Sequence, residues 1–216
     1  MNIAIDGPAG AGKSTIARLA AKKLEYIYVD TGAMYRTIAL YVIRKNVDYN
    51  DEETLGKALG DINIEISYID GEQHMMLNGE DVSETIRREE VGNMASTVAA
   101  KKQVREKLLQ LQRDIASKNN VIMDGRDIGT FVLPNAECKI YLTASVEVRA
   151  KRRYDELLAK GENPVLETIE RDIEKRDYQD MNREIAPLKQ AEDAIYLDSS
   201  DMTIQEVVDK ICSYGK

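Results

Sequence analysis

Lys13 and Ser14 close the run GPAGAGKS, which spans Gly7 to Ser14 and fits the spacing G-x-x-x-x-G-K-S. Residue types in this order suit the phosphates of a nucleoside triphosphate. Glycines let successive backbone N–H groups turn inward on an anion where side chains would clash. A helix starting near Lys13 adds the positive end of its dipole. Lys13 can reach the β- and γ-phosphates, and the Ser14 hydroxyl can ligate Mg²⁺. The triphosphate is therefore expected against Gly7, Pro8, Ala9, Gly10, Ala11, Gly12, Lys13, Ser14 and Thr15.

Further arginines and carboxylates follow other apolar runs. VDTGAMYR carries Thr31, Tyr35 and Arg36; MDGRDIGTFVLP carries Asp124, Arg126 and Asp127. An arginine presents a planar fork matched to phosphate oxygens. A neighbouring carboxylate can accept from a base amine such as N4 of cytosine, or can pair with the arginine and stiffen the turn. EVRAKRR sets Arg149, Arg152 and Arg153 at i, i+3 and i+4, which is one helix face, and RDYQDMNR sets Arg176, Asp180 and Arg183 at similar spacing. KGENP (160–164) lies between them, so the two helices read either as a lid over phosphates or as a solvated, charge-paired surface.

The elements that must hold these groups alternate. Strands are expected at 2–6, 26–30, 120–124, 139–144 and 194–199. Helices are expected between them: one after the glycine loop, 31–46 with Thr31 as N-cap, about 84–118 with Gly92 as an interruption, 146–160 and 166–180. That order predicts an α/β fold with a parallel five-stranded sheet, helices on both faces, and ligands at the carboxyl ends of the strands. The segments 62–69 and 74–78, joined by a DGEQ turn at 70–73, read as an inserted antiparallel hairpin.

Composition narrows the function classes. The 216 residues include 31% charged and 43% hydrophobic side chains, which suits a soluble chain with a sizeable core. A net charge of −8 argues against nucleic acid as partner, and no apolar run approaches membrane-spanning length. Cys138 and Cys212 have no metal-type spacing and read as free thiols of a cytoplasmic protein; the single His74 reads as a surface residue.

GPAGAGKS, VDTGAMYR, the inserted hairpin, DGRDIGTFVLPNA, KIYLTAS, EVRAKRR and ERDIEKRDYQDMNREIAPL, in this order, resemble the bacterial cytidylate kinase family over essentially the whole chain. The resemblance implies a P-loop nucleoside monophosphate kinase core at 1–216, an acceptor-binding region near 31–118 with its insert near 62–100, and a short helical lid near 149–183. It implies transfer of the γ-phosphate of ATP to CMP or dCMP with Mg²⁺ held through Ser14. It assigns the base to Ser96, Arg105 and Asp127, the ribose to Tyr35, Arg176 and Asp180, and the acceptor phosphate to Arg36, Arg126 and Arg183, with Thr31 as a further hydroxyl. Lys13, Arg126, Arg183 and one lid arginine, Arg153 in preference to Arg149 or Arg152, are the expected catalytic groups. A monomer is expected. A P-loop kinase for another acceptor, with Asp124 as base toward an alcohol, is the rival within enzymes. A GTP-binding switch is the rival outside them, against which the chain has no N-K-x-D run.

Overall fold

The structure, a computed structural model, describes residues 1–69 and 72–215. The chain begins β1 (Asn2–Asp6), α1 (Lys13–Leu24) and β2 (Ile27–Asp30). It continues through α2 (Thr31–Arg44), α3 (Glu52–Gly60), β3 (Ile64–Ile69), β4 (Glu72–Leu77), β5 (Glu80–Asp81), α4 (Glu89–Val98) and α5 (Lys102–Lys118). It ends with β6 (Val121–Gly125), β7 (Cys138–Thr143), α6 (Val146–Ala159), α7 (Leu166–Asn182), β8 (Ile195–Asp198) and α8 (Ile204–Tyr214). Two compact units result: Met1–Tyr28 with Asn119–Lys216, and Val29–Lys118.

The five-stranded sheet has the order β2-β6-β1-β7-β8. β1 pairs in parallel with both β6 and β7, and β7 with β8. Ile3, Ala4 and Ile5 are successive and all fully buried, so side chains on both faces of β1 are covered. This is why the parallel strands read as unbroken apolar runs. Ile3, Ile5, Ile122, Ile140 and Leu142 pack with Ile16, Ala17 and Ala20 of α1 and with Val207, Val208 and Ile211 of α8. The register aligns Asp6 with Gly125 and with Tyr141. The carboxyl ends of three central strands therefore finish at one edge of the sheet.

The second unit pairs helices with a three-stranded antiparallel sheet, β3-β4-β5. The hairpin expected at 62–78 is present as β3 and β4; its turn falls partly at 70–71, outside the described residues. Strand β5 adds to that hairpin. Asn78 and Gly79 both take positive φ, 51° and 85°, between paired Leu77 and Glu80. An Asn-Gly loop of two left-handed residues is the strongest short hairpin signal, and LNGED carries it.

Two helix expectations change. The stretch 84–118 is a short 3₁₀ turn (Thr85–Arg87), α4 and α5, broken at 99–101, while Gly92 sits inside α4. Thr31 is not the N-cap of α2: Asp30 is, its carboxylate accepting from the Ala33 N–H at 2.9 Å, and Thr31 is the buried first helical residue. A carboxylate satisfies the orphan donor and also complements the helix dipole.

Candidate functional site

The glycine loop runs from the end of β1 to the start of α1. Gly7 has φ 151°, and a β-carbon there would meet the Leu142 carbonyl oxygen at 1.9 Å, so no other residue fits. Gly12, at φ 82°, is the N-cap of α1 with no side-chain cap, which leaves the first-turn N–H groups pointing out of the helix. Lys13 opens α1 and lies buried, its ammonium donating to the Pro8 carbonyl at 2.7 Å. Burial first, and then the Arg126 charge, pull its pKa down to about 7 against the opposing pull of Asp124, Asp180 and Asp6. Ser14 and Thr15 are exposed on the first turn.

Ser14 Oγ donates to Asp124 Oδ2 at 3.0 Å, and the Tyr28 hydroxyl donates to Asp124 Oδ1 at 2.9 Å. A hydroxyl and a carboxylate side by side at the phosphate loop are hard oxygen donors of the kind Mg²⁺ takes, with water and phosphate completing its shell. The residues present therefore fit the ion. Among the described residues no group of three or more His, Cys, Asp and Glu could hold a metal by itself. The sequence offers Asp124 only as a base; its pairing with Ser14 is a feature of the fold.

Asp6 organises the loop after β6. Its two carboxylate oxygens accept from the Ile128 and Gly129 N–H groups, each at 2.7 Å. Burial pushes its pKa up to about 6, although both backbone donors favour the charged form. The chain then makes a π-turn over Ile128–Val132, with the Asp127 carbonyl accepting from both Phe131 and Val132. Such turns concentrate at functional sites because they re-aim the residue before them.

Arg126 and Asp127 leave this loop and pair with different partners. Arg126 Nε donates to Asp180 Oδ2 at 2.7 Å, and Arg183 Nη2 donates to Asp127 Oδ1 at 3.1 Å. The alternative of an Arg126–Asp127 pair stiffening the turn is replaced by these crossed, long-range pairs. Burial raises the Asp180 pKa, but Arg126, Arg183 and Arg176 outweigh it and hold the carboxyl below its ordinary value. Arg183 does not share a helix face with Arg176. It is the residue at which α7 stops, in extended backbone, and its Nε donates to the Ala186 carbonyl at 2.6 Å.

The three arginines of α6 separate as well. Arg149 is buried, with Nε on Ala144 O and Nη1 shared between Ala9 O and Asp177 Oδ2. Arg152 donates to the Ser199 carbonyl at 2.7 Å. Arg153, with its side chain 45% exposed, pairs with Glu156 at 2.9 Å. The single arginine face expected from i, i+3, i+4 spacing is thus three environments.

In the second unit the Arg105 guanidinium lies 5.7 Å from the Tyr35 ring centroid, and its Nη1 donates to Ala99 O at 3.2 Å. Arg105 is buried; Arg36 and Ser96 are half-buried. Ser96 Oγ makes a 3.4 Å contact to the Gly92 carbonyl one turn back. The Gln73 carboxamide oxygen accepts from the Asp30 N–H at 2.9 Å, which ties β4 to the cap of the helix carrying Tyr35 and Arg36. Asp6, Tyr28, Asp177 and Gln73 join the site only through the fold. For Asp6 the available signal was a carboxylate ending a buried strand.

Residues 3–216 match the cytidylate kinase family model. The chain is 54% identical to the cytidylate kinase of Caldicellulosiruptor saccharolyticus, over 98% of this chain and 93% of that one. It is 50% identical to the cytidylate kinase of Bacillus subtilis, over 98% and 94%. A crystal structure of an uncharacterized protein from Eubacterium ventriosum superposes with a TM-score of 0.56 at 12% identity, covering 99% of this chain and 97% of that one, which speaks to the fold alone.

Proposed function

The chain belongs to the cytidylate kinase family, and from that membership we propose how its residues divide the work of phosphorylating a nucleotide. It is an ATP-dependent kinase that carries the γ-phosphoryl group to CMP or dCMP, giving ADP and CDP or dCDP, a step of pyrimidine nucleotide metabolism. The match over residues 3–216 is the observation that carries this activity.

Gly7–Thr15 cradle the triphosphate of ATP, and Lys13 exchanges the Pro8 carbonyl for β- and γ-phosphate oxygens. When bound, Mg²⁺ neutralises charge on the β- and γ-oxygens. Ser14 and Asp124 would hold it. Arg36, Arg126 and Arg183 hold the acceptor phosphate, while Tyr35, Arg176 and Asp180 hold the ribose, with the Thr31 hydroxyl in support. Asp127 accepts from the cytosine N4 amine, and Ser96 and Arg105 serve N3 and O2. Uracil offers a carbonyl where cytosine offers an amine, so a carboxylate there disfavours UMP. Arg153 meets the transferring phosphoryl group after leaving Glu156. In this reading 1–216 is one P-loop kinase domain, 31–118 with its insert near 62–100 binds the acceptor, and 149–183 is the lid.

No general base is needed. A phosphate monoester has its second pKa near 6, so the attacking oxygen is largely ionised at neutral pH. The work is to align two anions and offset their repulsion, which Lys13 and the arginines do by charge and position. Asp124 accepts from Ser14 and Tyr28, and in this reading its carboxylate serves the cation and not a proton of the acceptor. A cytoplasmic monomer without nucleic-acid or membrane partners accords with the net charge of −8 and with two free cysteines. Among the described residues no helix is long and apolar enough to cross a membrane.

A coupled ADP-release assay across CMP, dCMP, UMP and AMP tests the reading. CMP and dCMP are expected to turn over fastest; a preference for AMP, or no transfer to any monophosphate, contradicts it.

A further inference from the structure

Ala9, the third residue of the phosphate loop, has both of its backbone polar groups held by buried side chains. Its N–H donates to Asp177 Oδ1 at 3.2 Å, and its carbonyl accepts from Arg149 Nη1 at 2.9 Å. The two side chains also meet each other, Arg149 Nη1 to Asp177 Oδ2 at 2.6 Å, and Arg149 Nε donates to Ala144 O at 2.8 Å. Both are nearly out of water, at 4% exposed for Arg149 and 8% for Asp177. Arg149 sits on α6 and Asp177 on α7, the helices flanking the segment 160–165. Gly10 lies directly against Arg149, where an added β-carbon would touch Arg149 Cβ at 3.4 Å.

The loop needs such a hold. Gly7, Gly10 and Gly12 all occupy positive φ, and each glycine has wide conformational freedom to lose when phosphates bind. Fixing a loop beforehand in its bound shape strengthens binding because less ordering is left for the ligand to impose. A stability role alone would not call for an ion pair, since buried pairs are weak stabilisers compared with apolar side chains of similar size.

We propose that Asp177 and Arg149 are positioning residues for ATP: together they clamp Ala9 and hold the glycine loop ready for the triphosphate. The clamp rests on the reading of that loop as the ATP site. Asp177 and Arg149 touch neither nucleotide in this scheme. Their effect passes through the Ala9 backbone.

The test measures KM for ATP and for CMP separately in Asp177→Ala, Asp177→Asn and Arg149→Ala, with direct titration of ATP in the absence of CMP. Asp177→Ala removes both the acceptor for Ala9 and the counter-charge for Arg149. It is expected to raise KM and Kd for ATP by about tenfold, the scale of one charge-assisted hydrogen bond, and to leave KM for CMP within about twofold. Asp177→Asn keeps an oxygen for the Ala9 N–H and is expected to fall between wild type and Asp177→Ala. It also carries the test should Asp177→Ala fail to fold. In the double variant Arg149→Ala with Asp177→Ala the ATP defect should be far less than the product of the single defects, because the residues act as one unit. A lowered unfolding midpoint with unchanged ATP affinity overturns the proposal, as does an equal rise in both KM values. Wild-type protein that binds ATP but phosphorylates no CMP would instead overturn the kinase reading and leave the clamp measurable by titration.

Discussion

Ser14 and Asp124 are 110 residues apart in the chain and 3.0 Å apart in the fold, hydroxyl to carboxylate. The parallel register of β1 with β6 brings them together, since it sets Ile5 opposite Asp124 just before the glycine loop departs. Asp124→Asn weakens the only carboxylate this pair offers a cation. It is expected to lower kcat by about 10²-fold or more and to raise the Mg²⁺ concentration needed for half-maximal activity. A Mg²⁺ titration of initial rates checks both effects, and an unaltered Mg²⁺ requirement would remove Asp124 from the metal site.

Burial and the Arg126 charge disfavour the charged form of Lys13 and pull its pKa down to about 7. Phosphate oxygens favour that charge, so ATP should raise its pKa again. At pH 8 binding is therefore expected to take up a proton, and ATP affinity should weaken as pH climbs above 7. Calorimetry in two buffers of different ionisation enthalpy measures the uptake directly; a buffer-independent heat at pH 8 would contradict it.

Asp6 has the opposite signature. Its carboxyl titrates near 6 in the fold against an ordinary value of 3.8. Between those values the folded protein keeps a proton that the unfolded chain has released. Its contribution is thus fully present below about pH 4 and is lost as pH rises through about 6, on the order of 3 kcal/mol in all. Asp6→Asn cannot titrate, so urea unfolding across pH 4 to 6 should show a flatter profile than wild type.

The two ends of the glycine loop should respond differently to a methyl group. Gly7→Ala drives a β-carbon into the Leu142 carbonyl and is expected to abolish soluble, active protein. Gly12→Ala meets no atom within 4 Å and suffers only from its positive φ. It should fold with a loss of about 1–2 kcal/mol. Thermal unfolding and expression of the two variants side by side make the comparison.

Asp127 Oδ1 accepts from Arg183 Nη2 at 3.1 Å. Asp127→Asn can donate an amide N–H to the uracil carbonyl that the carboxylate repels. The CMP-over-UMP ratio of kcat/KM is expected to fall by about 10- to 100-fold, the worth of one base-edge contact. A ratio equal to that of wild type would remove Asp127 from base selection.

Local patterns and the order of motifs already determined much of this protein. The glycine loop between an apolar strand and a helix, the alternation of strands and helices, and the hairpin insert all follow from turn chemistry and periodicity within short windows. Their order along the chain pointed to the family. Partner choice depended on the tertiary structure alone. Arg126 pairs with Asp180 and not with adjacent Asp127, and Asp127 pairs with Arg183 56 residues away. Arg149 turns its guanidinium onto the Ala9 backbone, and Asp30, not Thr31, caps α2. The physical reason is that spacing fixes which residues share an element, whereas a charged group's partner depends on which strand ends the sheet register brings within about 3 Å, and no short window of sequence contains that register.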